Sequence, residues 1–327
     1  MQHRDFKAPF IRSKETVRTM FNDCLIALLP LYIMAFYYYG WRPVVMALFS
    51  VATCVVTDII CVKVSGKKLN KYDNSAFVTG LILPLLLPAT VPYMMVFSGA
   101  VFAMLVMKHP FGGLGNNPFN PAAGAFAFLA VCWPNLVFSY TVPLEQLPVF
   151  GDISAKLMDS PAFTMQLGGI PNINPIDMLL GNYPGPMGAT NILVICACFL
   201  FLIFRRTIRW EIPLTFVATC ALFAFLYPRI MGGHLQSVYY ELSSGTLLFA
   251  GVFMLTDPVT SPTTRSGRLA FGFLAGMVTM LFRMFGGYEE GVCFAILLMN
   301  ALSPMLDRYL PLLSRRKRGG VQHEYEV

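Results

Sequence analysis

Charged side chains are scarce in this sequence. Only 13% of its 327 residues are charged, whereas 56% are hydrophobic and the mean hydropathy is +0.61. Soluble globular domains carry roughly a quarter charged residues, because a water-exposed surface needs them. The shortage excludes an ordinary soluble enzyme and indicates an integral membrane protein.

Metal-binding and nucleotide-binding patterns are also missing. The eight cysteines form no Cys-x2-Cys pair, and the four histidines are scattered along the chain. The sequence has no Walker motif, no dinucleotide-binding glycine pattern and no catalytic triad pattern. We therefore predict no metal site and no nucleotide-binding soluble domain. The net charge of +7 would suit nucleic acid, but the placement of the basic residues indicates a membrane topology and no nucleic-acid partner.

Ten apolar segments are present instead. A helix needs about 20 apolar residues to cross a bilayer, and fewer where it is broken and surrounded by protein. Two segments, 76–88 and 244–258, are short and interrupted by proline. The longer ones are 20–39, 41–62, 92–107, 119–133, 190–204, 213–227, 269–285 and 291–306. The sequence thus predicts an all-α polytopic membrane protein with about ten transmembrane helices in contact with the lipid bilayer.

The placement of lysine and arginine predicts the orientation of these helices. With the N terminus in the cytoplasm, 20 of the 24 basic residues fall in cytoplasmic segments, and only Arg42, Lys156, Arg229 and Arg283 do not. Both chain ends are therefore predicted to be cytoplasmic. The resulting divisions are a cytoplasmic segment 1–18, a first membrane repeat 19–134, an extracytoplasmic loop 135–188, a second membrane repeat 189–306 and a cytoplasmic tail 307–327.

The two short segments belong to an internal repeat. Pro84-x3-Pro88 is followed, 23 residues later, by Phe-Gly-Gly at 111–113, and Pro258-x3-Pro262 is followed at the same spacing by Phe-Gly-Gly at 285–287. The two copies begin five predicted helices apart, an odd number, so they cross the membrane in opposite directions. This pattern is typical of inverted-topology repeats, whose broken segments mark a site near the middle of the bilayer.

Polar residues beside these segments could bind a ligand. Asn117 and Asn120 lie in the Gly- and Pro-rich stretch 112–121, which could cradle a polar ligand such as an isoalloxazine ring or could simply cap the next helix. Thr256 and Asp257 lie in the stretch 256–262. An ionisable group at a broken membrane helix favours a functional role, and a cap or a solvated turn is the alternative.

Other carboxylates are predicted at helix ends and within one helix. Asp23 and Asp58 are candidates for ion or proton coupling, and Asp58, inside the second helix, could instead pair with a basic residue for structure. We expect Glu289 and Glu290, in the turn after the second Phe-Gly-Gly, to be solvated.

Thr190 stands where the long outer loop meets the sixth predicted helix. The stretch 181–188 before it is rich in glycine and suggests a flexible approach to this hydroxyl. Helix N-termini attract phosphate groups. The residue types alone favour the alternative, in which Thr190 or Asn191 only caps the helix.

Three motifs resemble one known family. They are Phe-Gly-Gly-Leu-Gly-Asn-Asn-Pro-Phe-Asn-Pro-Ala at 111–122, Thr-Asp-Pro-Val-Thr-Ser-Pro at 256–262 and Glu-Gly-Val-Cys-Phe-Ala-Ile-Leu-Leu-Met-Asn-Ala at 290–301. The family is that of the RnfD subunit of the Rnf complex and the NqrB subunit of the sodium-pumping NADH:quinone oxidoreductase. The resemblance covers nearly the whole chain, and the short N-terminal region is similar to that of the Rnf branch.

The resemblance implies a urea-transporter-like fold of inverted repeats and FMN attached through a phosphoester to a threonine. Here that threonine matches Thr190, with Gly188 and Ala189 before it. The usual target of the flavin transferase has Asp six residues before the threonine and Ser or Thr three before, where this chain has Pro184 and Met187. A second, noncovalent flavin, such as riboflavin, is implied near Asn117, Asn120, Thr256 and Asp257, which could equally belong to an ion path.

The resemblance also implies the function. Complexes of this family in the bacterial cytoplasmic (inner) membrane move electrons between ferredoxin and NAD and translocate Na⁺ or H⁺. This chain would be a flavoprotein subunit that relays electrons but catalyses nothing alone. Its partners would be Rnf subunits A, B, C, E and G and, for maturation, a flavin transferase. The alternatives are the quinone-reductase subunit and a urea-transporter-like solute channel, which would have no use for a covalent flavin.

Overall fold

The computed structural model describes residues 17–66, 73–151 and 155–319, with side chains as far as residue 310. Most of the predicted segment 1–18, and the end of the tail 307–327, lie outside the described residues. The helices are α1 Val17–Tyr39, α2 Arg42–Val64, α3 Ser75–Leu85, α4 Tyr93–Phe102, α5 Pro121–Cys132, α6 Pro134–Val137, α7 Pro161–Gln166, α8 Pro175–Leu180, α9 Ile192–Phe204, α10 Glu211–Leu226, α11 His234–Ser243, α12 Leu247–Phe253, α13 Arg265–Phe285 and α14 Val292–Gly319. Two short strands, β1 Tyr140–Thr141 and β2 Leu157–Met158, pair antiparallel.

Apolar helices make this an α-helical membrane protein. Within the described residues, α1, α2 and α13 are each long and apolar enough to cross a membrane, and five shorter helices are also apolar. Each of the ten predicted segments contains a helix. In α1, Leu28 and Leu31 face the interior, while Leu29 and Ile33 are 57% and 65% exposed. A helix that is apolar on its outer face as well as its inner face is suited to lipid.

The two proline-interrupted segments form short helices, as predicted. The helix α3 has 11 residues and includes Pro84, and α12 has seven. Neither is long enough to cross about 30 Å of hydrocarbon at about 1.5 Å per residue. The preceding helix α11 was not predicted, because its polar residues hide it from a hydropathy scan.

The fourth predicted helix contains a change of winding. After Phe102 the α-helix α4 continues as a π-helical turn, Ala103–Lys108. The His109 backbone N then donates to the Met104 carbonyl, five residues back, at 3.1 Å. Such turns hold one residue more than an α-helical turn and are frequent at functional sites.

The first and sixth predicted helices, α1 and α9, pack side by side and run in opposite directions. Asp23, near the start of α1, contacts Arg205 just after the end of α9, at 3.0 Å. At the other end of α1, the Tyr38 hydroxyl donates to the carbonyl of Leu180, which precedes α9, at 2.8 Å. Between these ends, Cys198 Sγ lies 3.0 Å from the Ala27 carbonyl.

Small residues bring two other helices close together. In α13, a Cβ at Gly276 would lie 2.8 Å from the Thr219 Cβ of α10, so only glycine permits this approach. Small residues at helix interfaces allow tight packing in membranes, where the hydrophobic effect does not drive helix association. The interior thus consists of closely packed helices, and α3 and α12, the short ones, lie within it.

Candidate functional site

A narrow cleft collects residues from both halves of the chain. It is bounded by α1, α3, the stretch 114–122 that leads into α5, residues 207–208 and the stretch 253–259 after α12. Its volume is only about 50 Å³, little more than the space of a few water molecules. All four residues predicted for a second flavin or an ion path line it, namely Asn117, Asn120, Thr256 and Asp257.

Asn120 is a helix cap that also faces the cleft. Its Oδ1 accepts hydrogen bonds from the backbone N of Ala122 and Ala123 at 3.0 and 3.2 Å, so the capping interpretation is confirmed. Its Nδ2 points across to the other half, 3.3 Å from the Met254 carbonyl and 3.5 Å from Asp257 Oδ2. One side chain therefore fixes the start of α5 against the end of the second broken segment.

Asn117 carries an unsatisfied oxygen into this region. The side chain is buried, and its Nδ2 donates to the Phe119 carbonyl at 3.1 Å. Its Oδ1 has no hydrogen-bond partner among the described residues. A buried acceptor left unpaired costs about 1–3 kcal/mol. This oxygen is therefore suited to accept a hydrogen bond from a ligand in the cleft.

Thr256 and Asp257 are held by the turn that follows α12. The Thr256 hydroxyl donates to the Val252 carbonyl. Asp257 Oδ1 accepts from the Val259 backbone N at 3.2 Å, and Oδ2 accepts from the Thr260 hydroxyl at 3.4 Å. Asp257 therefore caps this turn, which was the alternative to a functional role. Its Oδ2 also faces Asn120.

Asn300 belongs to this site and was not predicted. Its Oδ1 accepts a hydrogen bond from the Asn120 backbone N at 3.0 Å, and its Nδ2 is buried without a partner among the described residues. The available signal was its polarity: it interrupts the apolar run of α14 and lies inside the third motif.

Thr190 lies apart from the cleft, immediately before α9. The N-cap of α9 is Asn191, whose Oδ1 accepts from the Val194 backbone N at 3.0 Å. The alternative that Thr190 itself caps the helix is therefore wrong. Thr190 is only 2% exposed, and its hydroxyl has no hydrogen-bond partner among the described residues.

The glycine-rich stretch before Thr190 is packed and does not form a flexible approach. Gly188 lies so close to α3 that a side chain there would overlap that of Leu85, and its backbone N donates to the Leu85 carbonyl at 3.0 Å. Gly185 packs on Thr190, where an added Cβ would lie 2.7 Å from Cγ2. Ala189 is also buried. Glycine is needed here for close contact, and the expectation of flexibility was wrong.

The helix α3 connects the two places. Ser75, Thr79 and Ile82 line the cleft, and Leu85 contacts the stretch that precedes Thr190. Ten residues of α-helix span about 15 Å at about 1.5 Å per residue. The cleft thus runs along most of this short, buried helix, and the stretch before Thr190 contacts its last turn, about one helical turn beyond Ile82.

A sequence model described as the NQR2, RnfD, RnfE family matches residues 6–312. The chain belongs to this family.

The similarity to individual members of the family covers nearly the whole length of both chains. The chain is 32% identical, over 92% of each chain, to the D subunit of the proton-translocating ferredoxin:NAD(+) oxidoreductase complex of Clostridium ljungdahlii. It is 32% identical to the D subunit of the ion-translocating oxidoreductase complex of Erwinia tasmaniensis and 31% identical to that of Klebsiella pneumoniae, over 94% of this chain and 97% of theirs. The resemblance inferred from the three motifs is therefore confirmed.

Asp58 belongs to a charged cluster in this family member. Lys108 Nζ lies 2.8 Å from Asp58, 3.2 Å from Asp73 and 2.7 Å from the Ser75 hydroxyl, and His109 Nε2 lies 2.8 Å from Asp58. The prediction that Asp58 pairs with a basic residue is confirmed. Burial works to raise the pKa of Asp73, but Lys108 and the hydrogen bonds of Ser75 hold it below its ordinary value.

Asp23 is likewise held by partners. It is 5% exposed, and its carboxylate accepts hydrogen bonds from Arg205 at 3.0 Å and from the Thr207 hydroxyl at 2.7 Å. It therefore joins α1 to the chain after α9. A role of Asp23 or Asp58 in ion coupling stays a prediction.

Glu289 and Glu290 are buried, and the expectation that they are solvated was wrong. They are 5% and 1% exposed. Glu290 accepts hydrogen bonds from the backbone N and hydroxyl of Thr246 at 3.0 and 2.7 Å, and Arg283 lies 3.5 Å from it. Arg283 also pairs with Glu241 at 3.1 Å. The two carboxylates can be buried because hydroxyl, amide and guanidinium groups of the protein donate hydrogen bonds to them or pair with them.

Proposed function

We propose that this chain is the membrane electron-relay subunit of an Rnf-type, ion-translocating ferredoxin:NAD oxidoreductase complex. In this proposal it carries FMN as a phosphoester on Thr190 and couples electron transfer to Na⁺ or H⁺ translocation. The name of the Clostridium relative supports the ferredoxin:NAD reaction, and those of the other two support ion translocation.

The observation that carries the proposal is the environment of Thr190. Its hydroxyl makes no hydrogen bond to a described residue, although the side chain is almost fully buried. It immediately precedes Asn191, the N-cap of the 13-residue helix α9, and the dipole of that helix favours a phosphate near its N-terminus. Gly185 packs directly on Thr190, and Gly188 packs on Leu85 of α3. The hydroxyl and the start of α9 suit a phosphoester, whereas the packed stretch 181–189 leaves no space for the flavin ring, so attachment must precede or open this packing.

The proposed topology has ten membrane spans in two inverted repeats, with both ends in the cytoplasm. Antiparallel α1 and α9, the first helix of each proposed repeat, support it. The exceptions to the charge rule also support it. Arg42 donates to the carbonyls of Ala89 and Val91 at 2.6 and 3.1 Å, so this cation is needed for structure at its position.

A second, noncovalent flavin is proposed in the cleft. Asn117 Oδ1, Asn120 Nδ2 and Asp257 Oδ2 supply acceptors and a donor that an isoalloxazine ring could use. The flavin would supply the capacity to accept and donate electrons. The cleft is too narrow for the ring as it stands, so binding requires the side chains of α1 and α3 to part.

The proposed assembly is supported by the names of the relatives, which are subunits of multi-subunit complexes. Ferredoxin and NAD would bind to partner subunits, for which we propose subunits A, B, C, E and G, and a flavin transferase would load Thr190. The proposed location is the bacterial cytoplasmic membrane, with Thr190 on the outer side. The chain itself would orient its flavins and exclude water from the path between them.

The experiment that tests the covalent flavin uses the wild-type subunit from the purified complex. The denatured subunit should fluoresce in a gel, and the peptide that contains Thr190 should gain the mass of FMN less one water. A dark band and an unmodified peptide would contradict the electron-relay function. Ferredoxin- and quinone-dependent electron transfer by the same complex then separates the Rnf type from the quinone-reductase type.

The cleft gives a separate prediction for the noncovalent flavin. Asn117→Ala removes the unpaired acceptor and should weaken flavin retention about tenfold, since a hydrogen bond contributes about 1–1.5 kcal/mol. The measurement is the flavin released on denaturation, relative to the covalent flavin. Asn172→Ala, at an exposed loop position, is the control and should release as much as wild type. Equal release from both variants would exclude this acceptor.

A further inference from the structure

Glu289 is a buried carboxylate that the proposed electron relay does not use. It lies in the turn between α13 and α14 and is 5% exposed. Its Oε2 accepts a hydrogen bond from the Ser160 hydroxyl at the start of α7. Its Oε1 is buried and has no hydrogen-bond partner among the described residues. An ionised carboxylate left half unsatisfied in this way is unfavourable.

Glu289 borders a cavity of about 570 Å³ that is open to the surface. The cavity lies between the loop that follows α5 and the turn 287–289. Polar side chains line its outer part, including Asn135, Ser139, Asp159 and Gln166. Phe138 and Tyr288 also line it, and the Tyr288 ring stacks on those of Phe138 and Phe294 at 5.7 and 5.8 Å. Glu289 therefore stands where a polar vestibule meets the packed interior.

The charges behind Glu289 already balance one another. Arg283 pairs with Glu241 and Glu290 at 3.1 and 3.5 Å, and Arg229 pairs with Glu241. Two guanidinium groups and two carboxylates sum to zero. An ionised Glu289 would add one negative charge for which the described residues provide no ion pair. A buried charge without a partner is costly, and protonation is the usual remedy.

We propose that Glu289 is a proton-exchange site, which takes up and releases a proton through the cavity while the charged cluster behind it stays ionised. The side of the membrane on which the cavity opens is taken from the proposed function. The use of this proton in ion translocation therefore rests on that function too. The groups that face Glu289 or share its cavity are Ser160 of α7, Tyr140 of β1, Glu290, Arg283, Asp159 and Tyr288.

The chemistry of the site favours a proton over a metal cation. Metal cations such as Ca²⁺ and Mg²⁺ need about six oxygen ligands. In the described structure, the Ser160 hydroxyl donates to the Glu289 carboxylate, and the Tyr140 hydroxyl of the strand β1 also interacts with it, which is far fewer oxygen ligands than such a cation needs. Burial raises the pKa of Glu289 to about 7, the hydrogen bond from Ser160 opposes this rise and the charge of Glu290 adds to it. Such a group exchanges its proton near neutral pH.

Labelling with dicyclohexylcarbodiimide tests the site in the purified complex, because this reagent adds to protonated carboxyl groups in apolar surroundings. Peptide mass spectrometry should find the adduct on Glu289 at pH 5, half of it at about pH 7 and little at pH 9. Glu289→Gln should remove the adduct. Asp177→Asn, which alters a carboxylate of α8 that does not line the cavity, should leave the labelling of Glu289 and its midpoint unchanged.

Three outcomes would overturn the inference. They are an unlabelled Glu289 at pH 5, labelling that does not change from pH 5 to pH 9, and protection by Na⁺ at constant pH, which would assign the site to a metal cation. The flavin content of the same preparation separates the two proposals. Covalent flavin with a Glu289 that does not titrate refutes only this inference, whereas a titrating Glu289 without flavin refutes only the electron relay.

Discussion

Replacing Thr190 with valine should abolish the covalent flavin and, with it, electron transfer through the complex. Valine resembles threonine in shape but has no hydroxyl to form the phosphoester. The folded protein should tolerate the change, because the hydroxyl that is removed has no hydrogen-bond partner among the described residues. In-gel fluorescence of the denatured subunit should therefore disappear, while the noncovalent flavin and the thermal midpoint stay near their wild-type values.

The matched control for this variant is Thr279→Val. Thr279 is fully buried in α13, and its hydroxyl also lacks a partner among the described residues. It differs from Thr190 in lying within a helix. The control should keep full fluorescence. A fluorescent Thr190→Val subunit would show that the flavin is attached elsewhere.

Replacing Arg283 with methionine should destabilise the protein by about 3–5 kcal/mol, the usual cost of breaking a buried ion pair by removing one partner. Arg283 is fully buried and donates to the carbonyls of Glu241 and Ser244 at 2.8 and 3.0 Å, besides its ion pairs. Its loss leaves the Glu290 carboxylate without a cation. Thermal unfolding of the detergent-solubilised protein is the measurement, and a large drop in the midpoint, or failure to accumulate, is expected.

Two further variants test whether charge balance is the cause. Arg209→Met also removes an arginine, but an exposed one without an ion pair to the described residues, and should change the midpoint little. Adding Glu290→Gln to Arg283→Met removes the orphaned charge and should restore part of the loss. An Arg283→Met protein as stable as wild type would contradict the buried-pair explanation.

Hydropathy and charge patterns predicted the helices well, and their exceptions point to tertiary contacts. The count of basic residues left Lys156 and three arginines, Arg42, Arg229 and Arg283, on the wrong side, and the arginines have a structural explanation. Each is held by hydrogen bonds or ion pairs, to loop carbonyls for Arg42 and to Glu241 for the other two. A rule based on loop charge describes groups that face water and lipid, so it cannot describe cations that are buried in protein.

The motifs predicted which residues meet in the cleft, but only the fold supplies their partners. One cleft contains all four predicted residues, namely Asn117, Asn120, Thr256 and Asp257. An inverted repeat with broken segments predicts such a meeting of the two halves. Asn300 could not be placed, because its contact with Asn120 spans 180 residues. Glu289 and Glu290 were misjudged for a related reason. Their position in a turn indicates solvent, and the donors that bury them come from Ser160, Thr246 and Arg283.

The π-helical turn Ala103–Lys108 has a consequence for the cluster around Asp58. Each residue added to a helix rotates the rest of that helix by about 100°, since a turn holds about 3.6 residues. Deleting one residue from this turn would restore regular winding and swing Lys108 away from Asp58 and Asp73 without altering any of the three side chains. The ion pairs of Lys108, which hold α2 against the start of α3, therefore depend on the direction in which the π-helical turn points Lys108 as much as on its charge.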